Sequence, residues 1–138
     1  FDVGHQSYVH KLLTGRQADF ARLRQFGGMA GFPKPSESHT DAFIAGHASS
    51  SVSIALGMAR ARTAQKQDHH IIAFLGDGAA TGGMSYEGLN DASVSGEPMI
   101  VILNDNAMSI DHNVGGMEFH LRNFYLLHRQ HEASVQPT

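Results

Sequence analysis

Ile71-Ile72-Ala73-Phe74-Leu75 leads directly into Gly76-Asp77-Gly78, and Met99-Ile100-Val101-Ile102-Leu103 leads in the same way into Asn104-Asp105-Asn106. Twenty-five residues separate Gly78 from Asn104. Short apolar runs bounded by turn residues predict buried parallel strands. The stretch between them, residues 82–93, has helical composition and completes a βαβ unit. An acid and an amide then meet at the carboxyl ends of two strands, where open α/β sheets bind their ligands. The carboxylate of Asp77 and the side-chain oxygen of Asn106 suit Mg²⁺, which takes few protein oxygens and fills its octahedron with phosphate oxygens and water. Gly76 and Gly78 remove side chains where a diphosphate must approach the backbone. The pattern therefore reads as a Mg²⁺-diphosphate site. Its bland alternative is a pair of ordinary βα turns, because Gly, Asp and Asn are turn formers.

Working outward, Ala48 to Gln65 alternates small residues with Val52, Ile54, Leu56 and Met58. This predicts a thin helix, roughly 49–65, able to pack close to a sheet, with its N-terminus following Gly46-His47. A helix N-terminus presents N–H groups and partial positive charge to an anion. His47 there, and His5 in its Gly-His-Gln loop, could donate hydrogen bonds to a diphosphate or shuttle a proton. Residues 1–18 predict a loop and a short helix. Ala18 to Phe26 has helical spacing, with Phe20, Leu23 and Phe26 on one face and Gly27-Gly28 as the stop. Residues 27–46, with Pro33 and Pro35, have loop composition. Lys66 to His70 is a polar connector. Glu87 reads as a solvated or interface-facing carboxylate on its helix rather than a catalytic one.

The 138 residues fit one domain with a single core. The formal net charge is −3 and the ten Lys and Arg are scattered, so neither nucleic acid nor a membrane surface is an expected partner. With no cysteine there is no disulfide framework and no thiolate metal site. His128 and His131 are spaced to share a helix face, but no third ligand at a typical spacing accompanies them. The chain opens inside a motif, without an initiating Met, and is expected to be a piece of something longer.

Further words narrow the reading. Asp2-Val3-Gly4-His5-Gln6, His10-Lys11 with Leu13-Thr14-Gly15-Arg16, Arg24-Gln25 with Gly27-Gly28, Gly31-Phe32-Pro33, Glu37-Ser38 and Gly46-His47 stand in one order. Ile102 to Asn106, Met108-Ser109-Ile110 and Asn113-Val114-Gly115 follow them. With the GDG and NDN triplets, they resemble the 1-deoxy-D-xylulose-5-phosphate synthase family of transketolase-like, thiamine diphosphate (ThDP) enzymes. The resemblance implies an α/β fold: a parallel sheet with flanking helices, as part of a ThDP-binding domain over residues 1–117. Residues 118–138 lose it and are expected to be a divergent, flexible segment.

It further implies a reaction that joins pyruvate to D-glyceraldehyde 3-phosphate with loss of carbon dioxide, in a homodimer of the bacterial cytoplasm, or of the plastid in a plant. By resemblance, His5, Gly46, His47, Ala48, Gly78, Ala79 and Asn106 contact ThDP, with His5 and His47 catalytic. Asp77, Asn106 and the backbone carbonyl of Met108 hold Mg²⁺. Ala48 departs from the family's usual Ser, which removes one side-chain hydrogen bond. The pyrimidine-activating glutamate belongs to another domain of the family's enzyme, so this chain alone is expected to be inactive. A different transketolase-like enzyme and a non-catalytic ThDP-fold module are the alternatives.

Overall fold

The computed structural model describes residues 1–105 together with Gly115, Gly116, Phe119, His120 and Asn123. In chain order these form α1 (Gln6–Leu13), a 3-10 helix (Gln17–Arg22), α2 (Ser51–Ala64), β1 (Ile72–Gly76), α3 (Asp77–Ala80), α4 (Gly83–Ser95) and β2 (Ile100–Asn104). The two strands pair in parallel, from Ile72 opposite Ile100 to Gly76 opposite Asn104. The expected βαβ unit is therefore present, with each strand one residue later than its apolar run. The register sets Gly76 and Asn104 side by side, so the two carboxyl ends finish level.

The core is built from small side chains. Ala55 and Ala59 of α2 meet Ile71 and Ala73, while Val52 meets Leu75 and Ala79, with Met99 at the edge of both groups. Full burial of one residue of the size of Val52 contributes about 1.5–3 kcal/mol. Alanines contribute less each, but they let the helix sit close to the strand. The same economy of size joins α2 to α4: a Cβ at Gly88 would lie 2.7 Å from Ser53 Oγ and 3.2 Å from Val52 Cβ. Arg62, buried near the end of α2, donates to the carbonyls of His69 and Pro98 and so ties the lead-ins of both strands to the helix. Arg60 and Asp91 form a bidentate pair between α2 and α4, but both are half exposed and solvent screens them.

Three expectations need correction. Only β1 is mostly buried, from Ala73 onward; Ile100 to Leu103 of β2 remain 38–50% exposed. Among the described residues no further strand pairs with β2, whereas parallel sheets normally have both faces covered. Residues 18–26 do not make an amphipathic α-helix. A 3-10 turn ends at Arg22, Arg24 turns left-handed at φ 61°, and Phe26 is fully exposed. Helix α2 begins at Ser51, leaving Gly46-His47-Ala48 in the loop before it. The helix expected over 82–93 is α4, and a short helical turn, Asp77–Ala80, stands between it and β1.

The long loop 27–46 is held by charge. Arg16 donates to both oxygens of Asp41, at 2.7 and 2.8 Å, and Asp41 also accepts from Lys34 N–H at 2.7 Å. His10 Nε2 lies 3.0 Å from the same carboxylate. Lys11, with none of its side chain exposed, donates to Glu37 Oε2 at 2.7 Å, and Ala30 N–H donates to Glu37 Oε1 at 2.6 Å. Burial pushes both carboxyls up, but hydrogen bonds from Arg16, Lys34 N–H and His10 on Asp41, and from Lys11 and Ala30 N–H on Glu37, outweigh it and hold both below the usual carboxylate range. Two stretches far apart in sequence, α1 and the loop, are thereby fixed to each other.

Because the folded carboxyls titrate below the unfolded ones, their stabilisation is complete above the unfolded value of about 4 and fades as pH falls through it toward the folded value. Asp41→Asn leaves Arg16 buried with only part of its partner set, so a loss of about 3–5 kcal/mol is expected at neutral pH. The same variant should show a shallower decline in stability below pH ~4. Urea unfolding of both proteins across a pH series measures this; parallel acid limbs would refute the assignment.

Candidate functional site

Three stretches of sequence converge at the carboxyl end of β1: residues 2–6, 46–51 and 76–82. The joint is Asp2, whose N–H donates to the Phe74 carbonyl at 2.7 Å, so the chain enters alongside β1. The Asp2 carboxylate has no exposed surface and accepts from the N–H groups of Val3 (2.9 Å), Ser49 (3.0 Å) and Ser51 (3.1 Å). A helix N-terminus leaves backbone donors without intrahelical partners. Asp2 satisfies one at α2 from forty-nine residues away.

Two glycines then set how closely the stretches meet. Gly4, at φ 96°, turns the chain so that His5 becomes the residue before α1 and Gln6 folds over the end of β1. A Cβ at Gly76 would overlap the Gln6 amide nitrogen. At Gly82 a Cβ would overlap Ser49 Oγ. Ser49 Oγ donates instead to the Ala79 carbonyl at 2.7 Å, and Ser85 Oγ donates to the same oxygen at 2.9 Å. The turn after β1 is therefore clamped from α4 and from the loop before α2.

The predicted site residues fall into this frame as follows. Asp77 follows β1 as the first residue of α3 and is buried, at 4% exposure. Gly78 is half-buried and Ala79 buried beside it. His5, Gly46, His47 and Ala48 are exposed on the two loops that Asp2 joins. Asn106 and Met108 lie outside the described residues, as do His128 and His131. Among the described residues, no group of three or more His, Cys, Asp and Glu gathers to hold a metal. Glu87 is exposed on α4, in keeping with a solvated carboxylate. Two buried polar atoms have no hydrogen-bond partner among the described residues, Ser51 Oγ and Gln6 Oε1, the latter over the end of β1.

Residues 1–136 match the family model described as 1-deoxy-D-xylulose-5-phosphate synthase. The chain belongs to that family. It is 59% identical over 117 residues to the 1-deoxy-D-xylulose-5-phosphate synthase of Porphyromonas gingivalis, a match covering 85% of this chain and 18% of that protein. It is 57% identical over 122 residues to the synthase of Parabacteroides distasonis, and 57% over 121 residues to that of Natranaerobius thermophilus. Each of these two matches covers 88% of this chain and 19% of the relative. The chain thus spans about a fifth of the length of the curated relatives it matches. The family match reaches past residue 117 into the stretch expected to diverge.

Asp2 lies within a synthase-like word that gives it no role, and no local pattern marks Ser49. An aspartate two residues from a glycine carries no signal of a helix forty-nine residues away. Ser49 was hidden in the run Ser49-Ser50-Ser51, where any of the three could serve as a helix cap.

Gly82 has an ordinary extended backbone, φ −75° and ψ 141°, so any penalty for a side chain there comes from contact with Ser49. Gly82→Ala should cost about 1–3 kcal/mol, the usual range for overpacking. Adding Ser49→Gly should recover part of that loss, because the two residues are in contact. Chemical denaturation of the single and double variants reads the coupling; strictly additive effects would mean that the contact carries no energy.

Proposed function

We propose that this chain supplies the diphosphate-binding part of a ThDP- and Mg²⁺-dependent 1-deoxy-D-xylulose-5-phosphate synthase, a transketolase-type transferase. The carrying observation is the convergence of residues 2–6, 46–51 and 76–82 at the carboxyl end of a parallel strand, in a chain of this family. The residues present suit the cofactor. Asp77 offers a carboxylate at the strand end, Gly76 and Gly78 keep the backbone accessible, and the orphan acceptor of Gln6 suits a donor such as a metal-bound water. Asp77 would hold Mg²⁺ together with the side chain of Asn106 and the carbonyl of Met108. Gly46, His47, Ala48, Gly78, Ala79 and Asn106 would line the diphosphate.

When bound, ThDP supplies the electron sink that lets carbon dioxide leave pyruvate. The chain's own contribution is to bind and orient. The backbone around Gly78 and Ala79 takes the diphosphate, and His5 and His47 stand at the mouth of the site. From there an imidazole can donate a hydrogen bond to an anionic oxygen or carry a proton to and from solvent. The carboxylate that activates the pyrimidine, and most contacts to the phosphate of D-glyceraldehyde 3-phosphate, belong to the remainder of the enzyme.

The exposed apolar length of β2 supports a larger body, because Ile100 to Leu103 would be covered by further parts of the same polypeptide. The complete enzyme would act as a homodimer. No helix among the described residues is long and apolar enough to cross a membrane.

Changing Asp77→Ala in the complete enzyme should abolish Mg²⁺-dependent ThDP binding in titration calorimetry while circular dichroism still reports a folded protein. Undiminished affinity would sink the metal assignment. The 138-residue chain alone, given ThDP, Mg²⁺, pyruvate and D-glyceraldehyde 3-phosphate, should release no carbon dioxide. Turnover in the ordinary enzymatic range of roughly 1–10³ per second would mean that it carries an activating group of its own.

A further inference from the structure

We propose that Ser49, held by Asp2, is the positioning residue that locks the loop carrying Gly46-His47-Ala48 to the turn carrying Gly78-Ala79. The proposal rests on the assignment of those residues to the diphosphate and extends it to two side chains that need not touch the cofactor.

Ser49 is in the left-handed region, at φ 72°, where L side chains are uncommon. Nothing in the local sequence demands this, since Ser is neither Gly nor Asn and the helix could begin one turn earlier. The conformation is imposed by tertiary contacts. Asp2 accepts from Ser49 N–H at 3.0 Å and from Ser51 N–H at 3.1 Å, gripping the backbone on both sides of Ser50. With its N–H committed to Asp2, the Ser49 hydroxyl points across to the Ala79 carbonyl at 2.7 Å. That oxygen also takes Ser85 Oγ at 2.9 Å and Gly82 N–H at 3.3 Å. Three donors fix the direction of the Ala79 carbonyl. The absence of a side chain at Gly82 is what lets Ser49 come so near.

The consequence is preorganisation. A site made largely of backbone gains affinity when its parts are already in place, because less ordering remains to be done on binding. Asp2 also bonds to β1 through Phe74, so strand, loop and turn move as one piece.

The test compares Ser49→Ala with Ser49→Gly in the complete enzyme. Both delete the hydroxyl, but Gly accommodates φ 72° without strain, so Ser49→Gly should melt at a higher temperature than Ser49→Ala. If Ser49 positions the turn, ThDP affinity measured by calorimetry with saturating Mg²⁺ falls about tenfold in both variants, the equivalent of one well-made hydrogen bond. Wild-type affinity in both would overturn the proposal. So would a loss that follows melting temperature, weak in Ser49→Ala and absent in Ser49→Gly, since that pattern marks a merely structural residue. Asp77→Ala run alongside separates the two readings. Binding abolished there but intact in the Ser49 variants defeats the positioning role alone, whereas binding intact in Asp77→Ala defeats the site assignment and this proposal with it.

Discussion

A carboxylate shut away from water must be satisfied in every direction, and Asp2 meets that demand by accepting from three backbone N–H groups in two different segments. An ionised group in low dielectric is tolerable only when hydrogen-bonded. The donors Asp2 uses at Ser49 and Ser51 lie at the start of α2, where the helix dipole also favours negative charge. The arrangement serves both sides: the helix receives a cap that its own sequence does not supply, since none of its neighbouring side chains makes one. The position of the loop before α2 relative to β1 follows from this contact, and with it the spacing of the two halves of the candidate site.

Buried carboxylates are used again around the long loop, and the choice has a physical reason. With Ala, Ser and Gly making up half of α2, each core contact removes little apolar surface from water, and the loop 27–46 buries few apolar residues, Met29, Pro33 and Ala45. Apolar burial is non-directional, so a loop of this length attached by grease alone would have many comparable placements. Arg16 with Asp41 and Lys11 with Glu37 are directional, and the bidentate geometry of the first pair admits one orientation. Such pairs add little net stability over a well-packed apolar cluster. Their effect here is to specify one path for the loop that ends at Gly46.

The features that were legible in the sequence are those written in local chemistry. Runs of β-branched and apolar residues ending in Gly-Asp-Gly and Asn-Asp-Asn identified the strands and their parallel pairing, and the alanine-rich stretch identified α2 as a close-packing helix. The strand end at Asp77 was also predictable, because strand carboxyl ends gather ligand residues whatever the fold's details. Phe20, Leu23 and Phe26 misled because helical spacing is equally available to a 3-10 turn followed by loop, and Arg24 departs from helical geometry. The start of α2 was misplaced because a remote side chain, not the local sequence, decides it. Burial of β2 was overestimated for a similar reason: an apolar strand states that it wants cover, while what covers it is written elsewhere. Asp77 and Asn106 are legible as oxygen ligands at two strand ends, whereas the Met108 carbonyl and the catalytic roles of His5 and His47 follow only from resemblance to the family.

The frame explains why so much of the region is glycine, alanine and serine. Where backbone must reach backbone, side-chain volume is the obstacle. Gln6 lies over Gly76, Ser49 lies against Gly82, and Ser53 lies against Gly88, each in space that a methyl group would occupy. Small residues alone would leave the turn loosely held, so hydroxyls do the fixing: Ser49 and Ser85 both reach the Ala79 carbonyl, and Thr81 Oγ1 reaches that of Gly78 at 2.8 Å. A hydroxyl adds a directional bond for scarcely more volume than a methyl. Close approach and fixed direction are the two requirements of a surface that presents peptide groups to an anion, and this combination of glycine and serine meets both without large side chains in the way.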